Sequence, residues 1–201
     1  MKKAAIVLVV ITIMSKFLGF FREITLSYFY GVSNESDAYI IALTIPSIIF
    51  AFVGAGLATT FIPMYNSVLS EDGIKAANAF TSRVANIIIC ISTAIILLIF
   101  IFTDEIVKLF AYGFDNETLN LAVQFTRITA LGIYFIGLGY VFKSLLQIKN
   151  NFIMPAIVGF PYNLVVIISI FASSNSSLMI LPLGTFIATS LETIVLFPSI
   201  M

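Results

Sequence analysis

The chain has 201 residues, 60% of them hydrophobic and only 10% charged, with a mean hydropathy of +1.11, which excludes an ordinary soluble domain. Ten cations offset ten anions, so net charge points to no nucleic-acid partner, and what matters is the side of a bilayer each charge occupies. Without histidine there is no imidazole base or metal ligand, and the single Cys90 allows neither an internal disulfide nor a cysteine zinc cluster.

About twenty apolar residues cross a hydrocarbon core. The first predicted span is Ala4–Tyr30, opened by the basic Met1-Lys2-Lys3. No small-x-small cleavage site precedes a polar region, and apolar sequence resumes after Lys16, so this is an uncleaved span rather than a signal peptide. The second is Ala38–Tyr65, with Pro46, Gly54-Ala55-Gly56 and Pro63 inside it; their density predicts a bent cavity wall or hinge. Asn78–Phe102 is the third span and carries Cys90 as a small apolar packing residue. Leu119–Gln147, Phe152–Phe171 and Leu178–Pro198 complete a set of six. The connectors are Gly31–Asp37, Asn66–Ala77, Thr103–Thr118, Ile148–Asn151 and Ala172–Ser177. Backbone polar groups in lipid must pair within the segment, so the expected class is all-α.

A cytoplasmic N-terminus puts Lys2, Lys3, Lys75, Arg83, Lys143 and Lys149 inside and leaves Lys108 as the one outer-loop cation. The positive-inside rule therefore places both ends in the cytoplasm.

Charges within spans are the best pointers to function, because a lone charge in hydrocarbon costs a few kcal/mol or more. From Ala4, Lys16 lies roughly 18 Å deep and Arg22 about 27 Å along the helix. Both are expected to line a cavity, with outward snorkelling as the plainer reading for Arg22. Glu23 shares a face with Lys16 and Gly19 at i, i+3 and i+7 spacing, which suggests a Lys16–Glu23 neutralising contact. Asp37 suits the first turn of the second span, where it caps the helix or pairs with Arg22 across the short turn. Arg127 is expected to reach the acidic outer loops, and Glu192 to anchor at the inner interface ahead of any coupling role. No triad, metal-ligand set or phosphate-cradling loop is present, so neither an enzyme nor a cofactor is indicated.

Ser15-Lys16-Phe17-Leu18-Gly19-Phe20-Phe21-Arg22-Glu23 resembles the opening Ser-Arg-x-Leu-Gly-x-x-Arg-Asp/Glu pattern of the lipid II flippase family, MurJ or MviN. The likeness continues through Phe29-Tyr30-Gly31, Ser36-Asp37-Ala38-Tyr39, Ile45-Pro46, Gly54-Ala55-Gly56-Leu57 and Thr60-Phe61-Ile62-Pro63. It returns at Leu146-Gln147, Phe152-Ile153-Met154-Pro155-Ala156 and Asn163. The resemblance implies one six-helix lobe of a two-lobed exporter in the bacterial cytoplasmic membrane, translocating a polyprenyl-diphosphate-linked precursor of peptidoglycan by alternating access. It further implies a partner lobe, from the rest of a longer parent or from another chain, and contact with membrane lipids. Arg22 matches a cavity arginine that grips the headgroup diphosphate. Lys16 replaces a second such arginine, keeping the charge but losing the planar fork. Asp37, Glu23, Gly54, Gly56 and Pro46 are implied to orient or gate. The second-span stretch Ser47–Val53, which carries arginine in many members, is uncharged here. Rival readings are a polysaccharide-unit or drug exporter of the same superfamily, and a non-transporting membrane scaffold.

Overall fold

The computed structural model describes residues 2–199; Met1, Ile200, Met201 and the side chains of residues 2–5 and 58 lie outside the described residues, among them Lys2 and Lys3, on which part of the topology reading rests. Among the described residues all regular structure is helical: α1 (Lys2–Tyr30), α2 (Asn34–Ile101), α3 (Thr103–Phe110), α4 (Asn116–Ala130), α5 (Ile133–Ile148), α6 (Ile153–Ile157), α7 (Gly159–Ser174) and α8 (Ile180–Leu196), then a 3-10 turn at Phe197–Ser199.

The second and third expected spans are joined. α2 runs through the expected Asn66–Ala77 connector, interrupted only at Gly73, whose φ of 79° and ψ of −178° suit glycine alone. The residues around it are polar but favour helix, so the hydrophobic boundary marks where the helix leaves apolar surroundings rather than where it stops. The expected Thr103–Thr118 connector likewise contains α3. The fourth expected span is a bent pair, α4 and α5, meeting at 41°. α6 and α7 share the fifth. By length and composition, 34–101, 153–174 and 180–199 are suited to cross a membrane, and the bent pair adds a fourth.

The backbone keeps helical φ and ψ through Pro46, Gly54-Ala55-Gly56 and Pro63, where a bend or hinge is expected from the sequence. The helix stays continuous past them, and Gly73 is its only non-helical residue. Proline at 46 cannot donate to the carbonyl of Ala42, but Thr129 Oγ1 on α4 donates to that carbonyl at 2.7 Å. The freed acceptor is thus satisfied from outside the helix. Gly54 is buried, and a Cβ there would lie 2.5 Å from the Tyr140 ring on α5, whereas Gly56 is exposed with open space around it. Gly54 therefore lets α2 and α5 approach, and Tyr140 stacks beside Phe50 with ring centroids 6.2 Å apart.

The helices close into a ring: α1 packs on α7, α7 on α8, α8 on α5 and α5 on α2. The seam between α1 and α2 is thin. One packed cluster gathers Tyr39, Phe125, Ile170 and Leu181; another gathers Phe50, Phe61, Ile133 and Val141. Phe17, Phe20 and Phe21 of α1 are more than half exposed, an apolar surface suited to lipid or another helix rather than to water. Cys90 is exposed beside Ile89 and Ile91, and so does not pack internally as expected.

Candidate functional site

Three elements meet at Arg22. α1 presents it two thirds of the way along, α2 supplies Tyr39 and Thr44, and α7 supplies Tyr162 and Asn163. The arginine side chain is about three-quarters shielded, at 26% exposure, beside a cleft of about 210 Å³. Its Nε and Nη2 donate to Glu23 Oε1 at 3.2 and 2.5 Å. Nη1 donates to Asn163 Oδ1 at 3.4 Å, and the guanidinium carbon lies 5.8 Å from the centre of the Tyr162 ring. Asn163 is buried, and its Nδ2 donates to the Gly159 carbonyl at 2.8 Å, which turns its oxygen toward the arginine. Arg22 thus has a fixed pose with one face on an aromatic ring, a geometry suited to a planar, bidentate anion partner. Its side chain is turned onto Glu23 and α7.

The remaining predicted residues divide. Lys16 is exposed and, among the described residues, makes no ion pair. Its expected contact with Glu23 does not form: seven residues of helix separate them by about 10 Å, and the carboxylate is bonded to Arg22. Asp37 is exposed in the first turn of α2, where the helix dipole favours it, but it neither caps the helix nor pairs with Arg22. The cap is Ser33, whose Oγ accepts from the Ser36 amide at 3.3 Å. A hydrogen bond with Ser33 also holds the Glu35 carboxyl below its usual pKa. Pro46 and Gly54 are buried in the α2 packing surface and Gly56 is exposed; none of the three touches Arg22's cleft. Arg127 pairs with Asp104 at 3.5 Å, as its approach to the acidic loop residues required.

Sequence reasoning missed two features. Asn163 and Tyr162 hold Arg22 from 141 residues away, a distance across which no local spacing speaks. Glu192 does not stand alone: Lys143 Nζ donates to its Oε1 at 2.6 Å, joining α5 to α8 beside a cleft of about 110 Å³. Lys143 and Glu192 each lie within four or five residues of a helix end, which made both read as interfacial.

Larger clefts of about 280 Å³ lie elsewhere, one beside Glu35, Glu117 and Gln124, another beside Asn78, Ser82 and Lys149. Arg22's cleft is smaller but holds a largely shielded cation oriented by Glu23, Asn163 and Tyr162. Among the described residues no three acidic or cysteine side chains are arranged to hold a metal ion.

Residues 26–201 match the family model described as lipid II flippase MurJ. That match begins at Leu26, so the Arg22 segment stands outside it. The lipid II flippase MurJ of Thermosipho africanus is 32% identical over 199 residues, covering 98% of this chain and 41% of the relative. A probable lipid II flippase MurJ of Buchnera aphidicola (subsp. Baizongia pistaciae) is also 32% identical, over 77% of this chain and 31% of its own. A solved structure of lipid II flippase MurJ in an inward closed conformation superposes with a TM-score of 0.85, at 32% identity, over 98% of this chain and 42% of that one. The chain spans about two fifths of the length of the Thermosipho relative and of the solved structure. Helices of this length and apolarity, in this order and arrangement, make the chain a multi-pass membrane protein that belongs to the lipid II flippase MurJ family.

Proposed function

We propose that this chain is the first lobe of a flippase that carries lipid II across the bacterial cytoplasmic membrane. The observation that carries the reading is the pose of Arg22: a largely shielded side chain, held by Glu23, Asn163 and Tyr162, at a cleft between α1, α2 and α7. A diphosphate is the part of a lipid-linked precursor that such a group recognises, while the polyprenyl tail stays among the lipids. Lys16 adds a second positive charge on the same helix without a competing carboxylate. No bond is made or broken in this account, so the chain works as a transporter rather than an enzyme.

Six spans carry the lobe: 4–30, 38–65, 78–102, 119–147, 152–171 and 178–198, with both ends in the cytoplasm. The cation asymmetry supports this orientation. Alternating access then requires a second lobe, and rocking against it moves the headgroup from one side to the other. Lys16 and Arg22 argue against an exporter of cationic drugs, whose cavity would favour unpaired carboxylates.

The test is transfer of fluorescent lipid II in proteoliposomes holding the protein expressed from its complete reading frame. Transfer well above that of protein-free vesicles is expected. Transfer at the protein-free rate would contradict the reading.

A further inference from the structure

The Lys143–Glu192 pair lies at the far end of a polar stripe that starts at Arg22's cleft. On α8, Thr185, Thr189 and Glu192 share one face through i, i+4 and i+7 spacing. At one end Thr185 Oγ1 is hydrogen-bonded to Tyr39 Oη at 2.6 Å, and Tyr39 lines the cleft beside Arg22. At the other end, about 10 Å along the helix, Glu192 accepts from Lys143 at 2.6 Å. Through Tyr39, Thr185 and Thr189 this face of α8 runs from the Arg22 cleft to the cleft beside Lys143, which stands near the end of α5 where the chain turns at Lys149.

An ion pair in this position is not explained by stability. Its side chains are 35% and 24% exposed, and removing two charges from water largely cancels their attraction, so apolar residues of similar volume hold helices together as well or better. What the pair does provide is a partly open cleft with the Thr189, Thr193 and Tyr140 side chains around a lysine. An ammonium has three donors, and Glu192 takes one. The cleft is small enough to take a phosphoryl group but not a sugar.

We propose that Lys143 is a second cationic station for the diphosphate of the lipid-linked precursor, masked by Glu192 until the headgroup displaces that carboxylate. This rests on the headgroup-capture reading of Arg22 and adds a binding residue to it. The headgroup then meets Lys143 before it reaches Arg22, and Glu192 keeps the station neutral between passages. Displacement exchanges one carboxylate for a more highly charged phosphate, so the lysine never faces hydrocarbon unpaired.

The experiment is binding of geranylgeranyl diphosphate to the protein expressed from its complete reading frame in lipid nanodiscs, with geranylgeraniol as the uncharged control and inorganic pyrophosphate as competitor. Losing one charge-assisted contact weakens binding about tenfold, the effect expected for Lys143→Gln, with Lys143→Arg restoring it. Glu192→Gln removes the mask and should tighten binding severalfold, which loss of a merely structural pair would not do. The double variant Lys143→Gln/Glu192→Gln leaves no lone charge, so it carries the test if the single variant fails to fold, and should bind like Lys143→Gln. Competition by pyrophosphate without preference for the lipid form would mean a free-anion site and overturn the assignment. Unchanged binding in Lys143→Gln, or weakening by Glu192→Gln, would also overturn it. Arg22→Gln runs in parallel: if it alone weakens binding, only the second station falls, and if neither variant does, the headgroup reading falls with it.

Discussion

Thr129 on α4 closes a gap that Pro46 opens in α2, donating its hydroxyl to the Ala42 carbonyl at 2.7 Å. Both partners are buried, so the bond replaces an intrahelical one that proline cannot make. Leaving a buried carbonyl without a donor costs about 1–3 kcal/mol. Thr129→Val should therefore lower the thermal midpoint of the purified chain, and should do so much less in a Pro46→Ala background, where the helix supplies its own donor. Equal losses in both backgrounds would show that the hydroxyl matters for another reason.

The two glycines of the second span should separate cleanly. Gly54→Ala pushes a methyl group into the Tyr140 ring, an overpacking that costs about 1–3 kcal/mol. Gly56→Ala meets open space and gains helix propensity, so it should be neutral or slightly stabilising. Thermal unfolding of both variants in one detergent decides the matter; equal destabilisation would contradict the packing described.

Asp115 caps α4, its Oδ1 accepting from the Thr118 amide at 2.9 Å. The Thr118 side chain, together with that amide bond, holds the carboxyl below the ordinary aspartate value of 3.8. A carboxyl with a depressed pKa stabilises the fold fully above its unfolded value, and this contribution is lost as pH falls through the lower folded value. Asp115→Ala should speed exchange of the Thr118 amide at neutral pH and make little difference once the native carboxyl is protonated. The same acceleration at both extremes would refute the cap.

Topology is tested by single cysteines in a Cys90→Ser background. Residues 75 and 149 should be shielded from an impermeant reagent in intact cells, and residue 115 should react. Labelling of a cysteine at 149 from outside would overturn the six-span arrangement.

How much of this was legible in the sequence depends on the range of each interaction. The spans show as runs of apolar residues, and the helices follow from them because lipid permits no other open backbone. Arg22's place inside an apolar stretch is visible in the sequence. What sequence could not supply are the partners: Glu23 was assigned to Lys16 by helical spacing, yet Arg22, one residue away, takes it. Asn163, Tyr162 and the Lys143–Glu192 pair join helices far apart in the chain, and only packing brings them together. The break at Gly73 was hidden for a different reason. It lies in a polar stretch where one glycine's positive φ, rather than a change of composition, divides the helix.

In the proposed mechanism Arg22 and Lys16 capture a diphosphate. Arginine binds phosphate through a planar fork and lysine as a point charge, so Lys16→Arg should be tolerated while Lys16→Ala impairs function. Arg22→Lys should fail more than its retained charge suggests, because the hold of Asn163 and the Tyr162 ring is built for a guanidinium. The direct measurement is growth of a flippase-depleted bacterium complemented by the protein from its complete reading frame, with membrane abundance checked by immunoblot. The double variant Lys16→Ala/Arg22→Ala should fail to support growth at normal abundance. Full complementation by that variant would show that the two charges are structural and contradict headgroup capture.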